Sequence, residues 1–97
     1  MSANMGLFPA RKCVERIREA FPTNAEVELE WMDDIYRHMP PGTKGTVSSV
    51  DDAGNIHVRW ESGVHLSAVW NADVVRNVNT GVKSNEFWDD DRPAASL

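Results

Sequence analysis

Three histidines are the residues of this 97-residue chain that most readily suggest a metal site. His38, His57 and His65 lack the short spacing of zinc ligands, and we expect the last two on the solvent side of neighbouring strands. Asp51 and Asp52 could bind calcium, but their loop is too short for a full oxygen cage, and aspartate is common in turns. We therefore expect neither a metal nor a cofactor.

Nucleophilic catalysis requires a serine or cysteine beside a base, and no spacing in this chain links Ser48, Ser49, Ser62 or Ser67 to one. Cys13 is the only cysteine, and we expect it to be a small buried hydrophobe on a helix face. No phosphate-binding loop of the Gly-x-x-x-x-Gly-Lys type occurs. The sequence therefore predicts a binding protein and not an enzyme.

The composition predicts a folded, acidic, water-soluble domain. The chain is 41% hydrophobic, contains four tryptophans and has a mean hydropathy of −0.45. Its net charge of −5 opposes attraction to a phosphate backbone, so direct binding of nucleic acid is disfavoured, whereas a basic protein surface would attract the chain. It has no apolar run long enough to span a membrane and no signal peptide, and its single cysteine suits a reducing compartment. We therefore expect a cytoplasmic protein without a membrane partner.

The segment from Pro9 to Phe21 is predicted to form an amphipathic helix. Pro9 suits its first turn, and Pro22 ends it. The apolar stripe is expected to dock on a sheet and to close one end of the core. Its members are Ala10, Cys13, Val14, Ile17, Ala20 and Phe21.

From Glu26 the apolar residues alternate with a period of two, which predicts strands. The first strand has Val27, Leu29 and Trp31 on one side and glutamates on the other, and a connector then ends at Pro40-Pro41-Gly42. Two further strands, at 44–50 and 55–60, flank a four-residue loop with glycine at its end. The predicted pairs are Val50 with Asn55, Val47 with Val58 and Gly45 with Trp60.

The alternation of apolar residues on the flanking strands predicts the length of the next turn, around Gly63. A three-residue loop with a bulge at Gly63 pairs Trp60 with Val64 and Val58 with Leu66. A two-residue loop would split the apolar residues between both faces, so we predict the bulged loop. The fourth strand is then predicted at 64–70, and the fifth at 74–78.

These elements predict a mainly β fold, with one N-terminal helix and a small five-stranded antiparallel barrel. The expected organisation is a flexible N-terminus at 1–8, a domain at 9–78 and a flexible acidic tail at 79–97. The predicted core contains Val27, Leu29, Trp31, Val47, Ile56, Val58, Trp60, Val64 and Leu66, covered by Val14, Ile17 and Phe21.

Two stretches carry a family resemblance: PPGTKGTV at 40–47 and VDDAGNIHVRW at 50–60. With parts of 27–36, they closely resemble an uncharacterised family of small domains that phages, plasmids and conjugative elements of gut Firmicutes encode. The resemblance implies a Src-homology-3-like barrel and a mobile-element origin, but no activity. This chain departs from the family pattern at 64–70 and in its acidic aromatic tail, which suggests that its own partner binds there.

The best candidates for binding a partner lie in a loop, on the barrel rim and in the tail. Tyr36, Met39 and Trp70 could form an aromatic groove between loops, as in other small barrels. The tail joins aromatic anchors to a charge run, which is typical of a docking peptide for a basic groove. Its predicted contact residues are Phe87, Trp88, Asp89, Asp90 and Asp91.

The leading functional hypothesis is a mobile-element accessory protein that binds a protein partner. One specific form is an anti-CRISPR-like inhibitor of a host defence nuclease, which would occupy a basic nucleic-acid channel. A second hypothesis is a binder of nucleic acid or of a small nucleotide signal, with Lys44, His57, Arg59 and His65 along one sheet face. The third is a structural or self-assembling protein, and the sequence leaves its oligomeric state open.

Overall fold

A computed structural model describes residues 9–32 and 39–87 of the chain. It confirms the predicted fold class: one N-terminal helix is followed by five antiparallel strands. Among the described residues, no helix has the length and apolar character needed to cross a membrane. The elements are α1 (Arg11–Ala20), β1 (Glu26–Trp31), β2 (Lys44–Val50), β3 (Ile56–Trp60), β4 (His65–Ala68), β5 (Val74–Asn77) and a short 3₁₀ helix (Ser84–Glu86).

The five strands form one sheet in the order β4-β3-β2-β1-β5. The first four follow one another as antiparallel neighbours, and the chain then returns to place β5 beside β1. This arrangement is consistent with a small barrel-like fold, with β4 and β5 as the edges of the sheet.

The first hairpin has the predicted register at its open end and a different one at its loop. Ser48 is an extra residue in β2, where the register shifts, and its hydroxyl donates to the carbonyl of His57 at 3.0 Å. Because of this bulge, Val50 pairs with Ile56, and the predicted pairing with Asn55 was wrong. Val47 opposite Val58 and Gly45 opposite Trp60 are confirmed.

The bulged turn after β3 is also confirmed. The backbone N–H of Trp60 donates to the carbonyl of Val64 at 2.9 Å, and Val58 lies opposite Leu66. Gly63 has a φ of +94°, a conformation that glycine adopts without steric cost.

Two of the predicted core residues are exposed in the structure. Trp31 is 57% exposed, because Glu30 is an extra residue in β1 that breaks the alternation. Val64 is 42% exposed, since it lies in the turn before β4 begins, and Leu66 is partly buried against the core. The buried core comprises Cys13, Ile17, Phe21, Val27, Leu29, Val47, Ile56, Val58, Trp60, Ala68 and Val75.

Helix α1 covers the sheet with its predicted apolar face, and Cys13, Val14 and Ile17 are all buried. Arg18, on the polar face, ties the helix to the first hairpin. Its Nε donates to the carbonyl of Val50 at 3.1 Å, and its Nη2 lies 2.7 Å from the carboxylate of Asp52.

The chain after β5 packs against the sheet. An isolated bridge pairs Arg76 with Lys83, and the Phe87 ring meets Phe21 edge to face with centroids 6.4 Å apart. The packed part of the chain therefore extends to Phe87, beyond the predicted boundary at residue 78. The predicted flexible N-terminus at 1–8 and the tail from residue 88 lie outside the described residues.

Candidate functional site

Trp70 and Phe87, two of the predicted partner-binding residues, line the same recess at the surface. Residues 70–73 of the turn from β4 to β5, together with Val74 at the start of β5, form one wall, and Ser84, Asn85 and Phe87 form the other. The recess has a volume of about 90 Å³. Both aromatic side chains are partly buried and pack against the core, so each wall is anchored to the folded domain.

The tip of the first hairpin holds Trp70 in place. The backbone N–H of Trp70 donates to Oδ1 of Asn55 at 2.9 Å. Gly54 is buried beneath it with a φ of +82°, and a Cβ there would lie 3.4 Å from Cγ of Trp70 and 2.9 Å from Cγ of Pro9. A side chain at residue 54 would therefore force the ring of Pro9 to shift, whereas it would meet the indole of Trp70 at ordinary contact distance.

Asp51 organises this hairpin tip. Its Oδ1 accepts the backbone N–H groups of Ala53 at 3.0 Å and of Asn55 at 2.9 Å, and its Oδ2 lies 2.8 Å from Nε2 of His57. Partial burial opposes ionisation of Asp51, but the hydrogen bonds from His57, Asn55 and Ala53 outweigh it. The pKa of Asp51 therefore lies below its ordinary value of 3.8. The predicted turn role of Asp51 thus extends to orienting Asn55, which in turn holds Trp70.

The second wall depends on two contacts of the 3₁₀-helical segment. The hydroxyl of Ser84 accepts the backbone N–H of Val75 at 3.0 Å and approaches the carbonyl of Asp73 at 3.4 Å. The Phe87 ring rests on Phe21 at the end of α1. The Phe87–Phe21 contact joins residues that are distant in sequence, and no periodic pattern marks the return of Ser84 to β5, so sequence patterns alone did not reveal Ser84 and Asn85 as recess residues.

The other predicted contact residues do not join this recess. Met39 packs against the hydrophobic core and is absent from the recess lining. The remaining five, Tyr36, Trp88, Asp89, Asp90 and Asp91, lie outside the described residues, so their predicted roles stay predictions.

The family described as a domain of unknown function (DUF4314) matches residues 10–78. The chain belongs to this family. Comparisons with curated proteins and with solved structures found no match. The DUF4314 match includes Trp70 and the hairpin tip but ends before Ser84, Asn85 and Phe87. One wall of the recess therefore belongs to the family domain, and the other comes from the segment that follows it.

A second surface depression of the DUF4314 domain bears on the nucleotide hypothesis. Lys44 and Arg59 line an open polar groove of about 390 Å³ over β2 and β3, but Glu26 and Glu61 line it as well. Two carboxylates beside two cations weaken the attraction for a phosphate. His57 and His65, the other predicted members, do not line this groove.

An ion network on β1 was not evident from the sequence. Nη2 of Arg76 lies 2.6 Å from Oε1 of Glu28, and its Nε lies 3.2 Å from Oε2 of Glu30. Lys83 adds a longer contact of 3.5 Å to Glu30. The acidic row of β1 is therefore largely neutralised and offers little net charge to a partner. Within the parts of the chain that the structure describes, no group of three or more His, Cys, Asp or Glu side chains could hold a metal ion.

Proposed function

We propose that this chain is a non-enzymatic binding module that recognises a protein partner by inserting one of the partner's apolar side chains into the recess between Trp70 and Phe87. The observation that carries the proposal is the convergence of these two aromatic residues, from separate segments, on one recess. Buried aromatic contacts of this kind dominate the energetics of protein interfaces.

The size of the recess favours a side chain over a whole small molecule. Pockets for small ligands typically enclose about 300–1,000 Å³, whereas this recess encloses about 90 Å³. Asn71 and Asn85 are exposed residues of its lining and offer side-chain amides to a bound peptide backbone. A short peptide segment with one apolar anchor fits this combination.

Charge favours a basic partner. The whole chain carries a net charge of −5, and the exposed Glu86 immediately precedes Phe87. Asp89, Asp90 and Asp91 follow in the sequence. A protein with basic residues around an apolar anchor would gain both burial and electrostatic attraction. In its most specific form, the proposal is that the partner is a nucleic-acid-binding effector, such as a host defence nuclease whose basic channel this chain occupies.

A matched pair of exposed asparagines allows a direct test. Asn85→Arg places a long cation at the recess, whereas Asn79→Arg makes the same change outside it. The full chain is used to select peptides from a random display library. We expect selected peptides to combine an apolar anchor with basic residues and to bind at least about tenfold more weakly to Asn85→Arg. Binding to Asn79→Arg should stay within about twofold of wild type.

Two outcomes would count against the proposal: a selection that enriches no peptide, or peptides that bind both arginine variants equally. The effector proposal needs a separate measurement. Purified CRISPR effector nucleases are assayed for DNA cleavage with the chain in excess, at low and high salt. Inhibition that weakens with salt and is relieved by Asn85→Arg supports it, and undiminished cleavage by every nuclease tested removes this specific form.

A further inference from the structure

Strand β4 presents an open backbone edge. Trp60 and Val64 share a hydrogen bond across the β3–β4 hairpin, and Val58 lies opposite Leu66. Because backbone groups alternate in direction along a strand, the N–H and C=O of His65 and Ser67 point away from β3. These four groups have no hydrogen-bond partner among the described residues.

The opposite edge of the sheet is covered. On β5, the N–H of Val75 donates to the hydroxyl of Ser84 at 3.0 Å, and the N–H of Asn77 donates to the carbonyl of Val82 at 2.8 Å. The segment after β5 therefore satisfies the edge that would otherwise be free. Only β4 presents such an edge in the part of the chain that the structure describes.

The sequence of this edge lacks the usual protection against strand pairing. Residues 64–69 are Val-His-Leu-Ser-Ala-Val, which include no lysine, arginine, aspartate, glutamate or proline. Val64 and Val69, at its two ends, are 42% and 44% exposed. A net charge of −5 opposes association of two copies in general, but no ionised carboxylate or ammonium group lies along this strand.

The edge is complementary to itself. In an antiparallel pair of β4 strands related by a two-fold axis through Leu66, His65 of one copy lies opposite Ser67 of the other. All four free groups of each copy are then satisfied. On the inner side, Leu66 meets its own counterpart, and Val64 meets Ala68 of the second copy. The same register therefore pairs all four outward backbone groups of each copy and forms a continuous row of apolar side chains.

We propose that the chain forms a two-fold symmetric dimer through the β4 edge, in the register that pairs His65 with Ser67. The occupant of this edge is a second copy because the register satisfies both copies with the same residues. The proposal does not depend on the recess between Trp70 and Phe87. The paired strand is short, so we expect a dissociation constant of roughly 10 µM to 1 mM.

Sedimentation equilibrium over about 10 µM to 1 mM of the full chain tests the proposal. We expect a concentration-dependent shift from monomer to dimer. Val64→Lys introduces a charge into the apolar row, and Ser67→Pro removes an outward N–H without removing a bond to β3. Each should weaken the dimer at least about tenfold. Trp31→Lys adds the same charge to an exposed apolar position on β1 and should leave the dimer unchanged.

Amide hydrogen exchange identifies the surface. Protection of the His65 and Ser67 amides should rise with protein concentration in wild type but not in Val64→Lys. A monomer at about 1 mM, or a dimer that persists in both edge variants, overturns the proposal. So does protection of these amides that appears only when a display-selected peptide is added, because the edge would then accept a partner's strand instead of a second copy.

Discussion

Gly45 lies directly opposite Trp60 on the neighbouring strand, and a Cβ at Gly45 would come within 2.9 Å of Cε3 of the indole. The same Cβ would lie 2.5 Å from Cγ1 of Val58 and 2.9 Å from the carbonyl oxygen of Arg59. The carbonyl belongs to the backbone of β3 and cannot rotate away. This close approach lets the sheet bury Trp60 to 2% exposure.

Gly45→Ala should therefore destabilise the fold by about 3 kcal/mol through overpacking, measured by urea unfolding. Gly81→Ala is the control, because Gly81 has a φ of +81° but no neighbour within 4 Å of a Cβ. That variant should lose only about 1 kcal/mol, from backbone strain. If Gly45→Ala were as stable as wild type, β2 and β3 could move apart to admit the methyl group without loss of stability, and the overpacking argument would be wrong.

Two tryptophans should differ sharply in their contribution to stability. Trp60 is 2% exposed and donates from Nε1 to the carbonyl of Leu66 at 3.0 Å, whereas Trp31 is 57% exposed. We expect Trp60→Ala to lower the free energy of unfolding by about 3–5 kcal/mol, and Trp31→Ala by about 0.5 kcal/mol or less. Thermal and urea unfolding of both variants measure the difference. Similar losses in the two variants would refute the assigned core.

Acid should weaken the hairpin tip through Asp51. Its pKa is lower in the folded chain than the ordinary 3.8, so it stabilises the fold above pH 3.8, and this contribution is lost as the pH falls through the lower folded value. The carboxylate is 38% exposed, so solvent screening keeps the contribution modest. Urea unfolding from pH 7 to about pH 2.5 should show the stability gap between wild type and Asp51→Asn narrowing with acid.

Asp52→Asn is the control for the acid prediction. Asp52 lies in the same loop, but its side chain is fully exposed. Its variant loses only a solvent-exposed contact with Arg18, so its stability gap from wild type should stay small throughout. A gap for Asp51→Asn that stayed constant with pH would contradict the assigned role of Asp51.

Arg76 should contribute more to stability than Lys83. Arg76 contacts Glu28 at 2.6 Å and Glu30 at 3.2 Å, and all three side chains are about 30% exposed. Arg76→Met leaves two partly buried carboxylates without their main partner and should cost about 2 kcal/mol. Lys83 is 45% exposed and 3.5 Å from Glu30, so Lys83→Met should cost about 0.5 kcal/mol or less. Chemical unfolding of both variants at low and high salt measures the two losses. A larger loss for Lys83→Met than for Arg76→Met would contradict the assigned network.

Phe87 should be part of the folded unit. Its ring packs edge to face on Phe21, so Phe87→Ala should lower the free energy of unfolding by about 1–2 kcal/mol. Asn85 lies two residues before Phe87 and is exposed, so Asn85→Ala should change the free energy of unfolding by about 0.5 kcal/mol or less. If Phe87→Ala unfolded at the same denaturant concentration as wild type, the folded unit would end before this residue.

The strand periods, the helix face and the bulged turn at Gly63 could all be predicted from the sequence, because each depends on residues that are close along the chain. A period of two with glycine at a fixed offset leaves few registers that keep apolar residues on one face. The pairs Gly45–Trp60 and Val58–Leu66 followed from that constraint alone.

The exposure of Trp31 and the recess at Trp70 and Phe87 depend on the tertiary structure. Bulges at Glu30 and Ser48 change the strand phase by one residue, and no local composition marks them. The recess forms because the segment after β5 folds back on Val75 and packs Phe87 on Phe21, which is distant along the chain. Burial of apolar surface is not directional, so it does not specify which apolar residues meet. The three-dimensional fit of the two segments decides that, and the residue order within either segment does not reveal it.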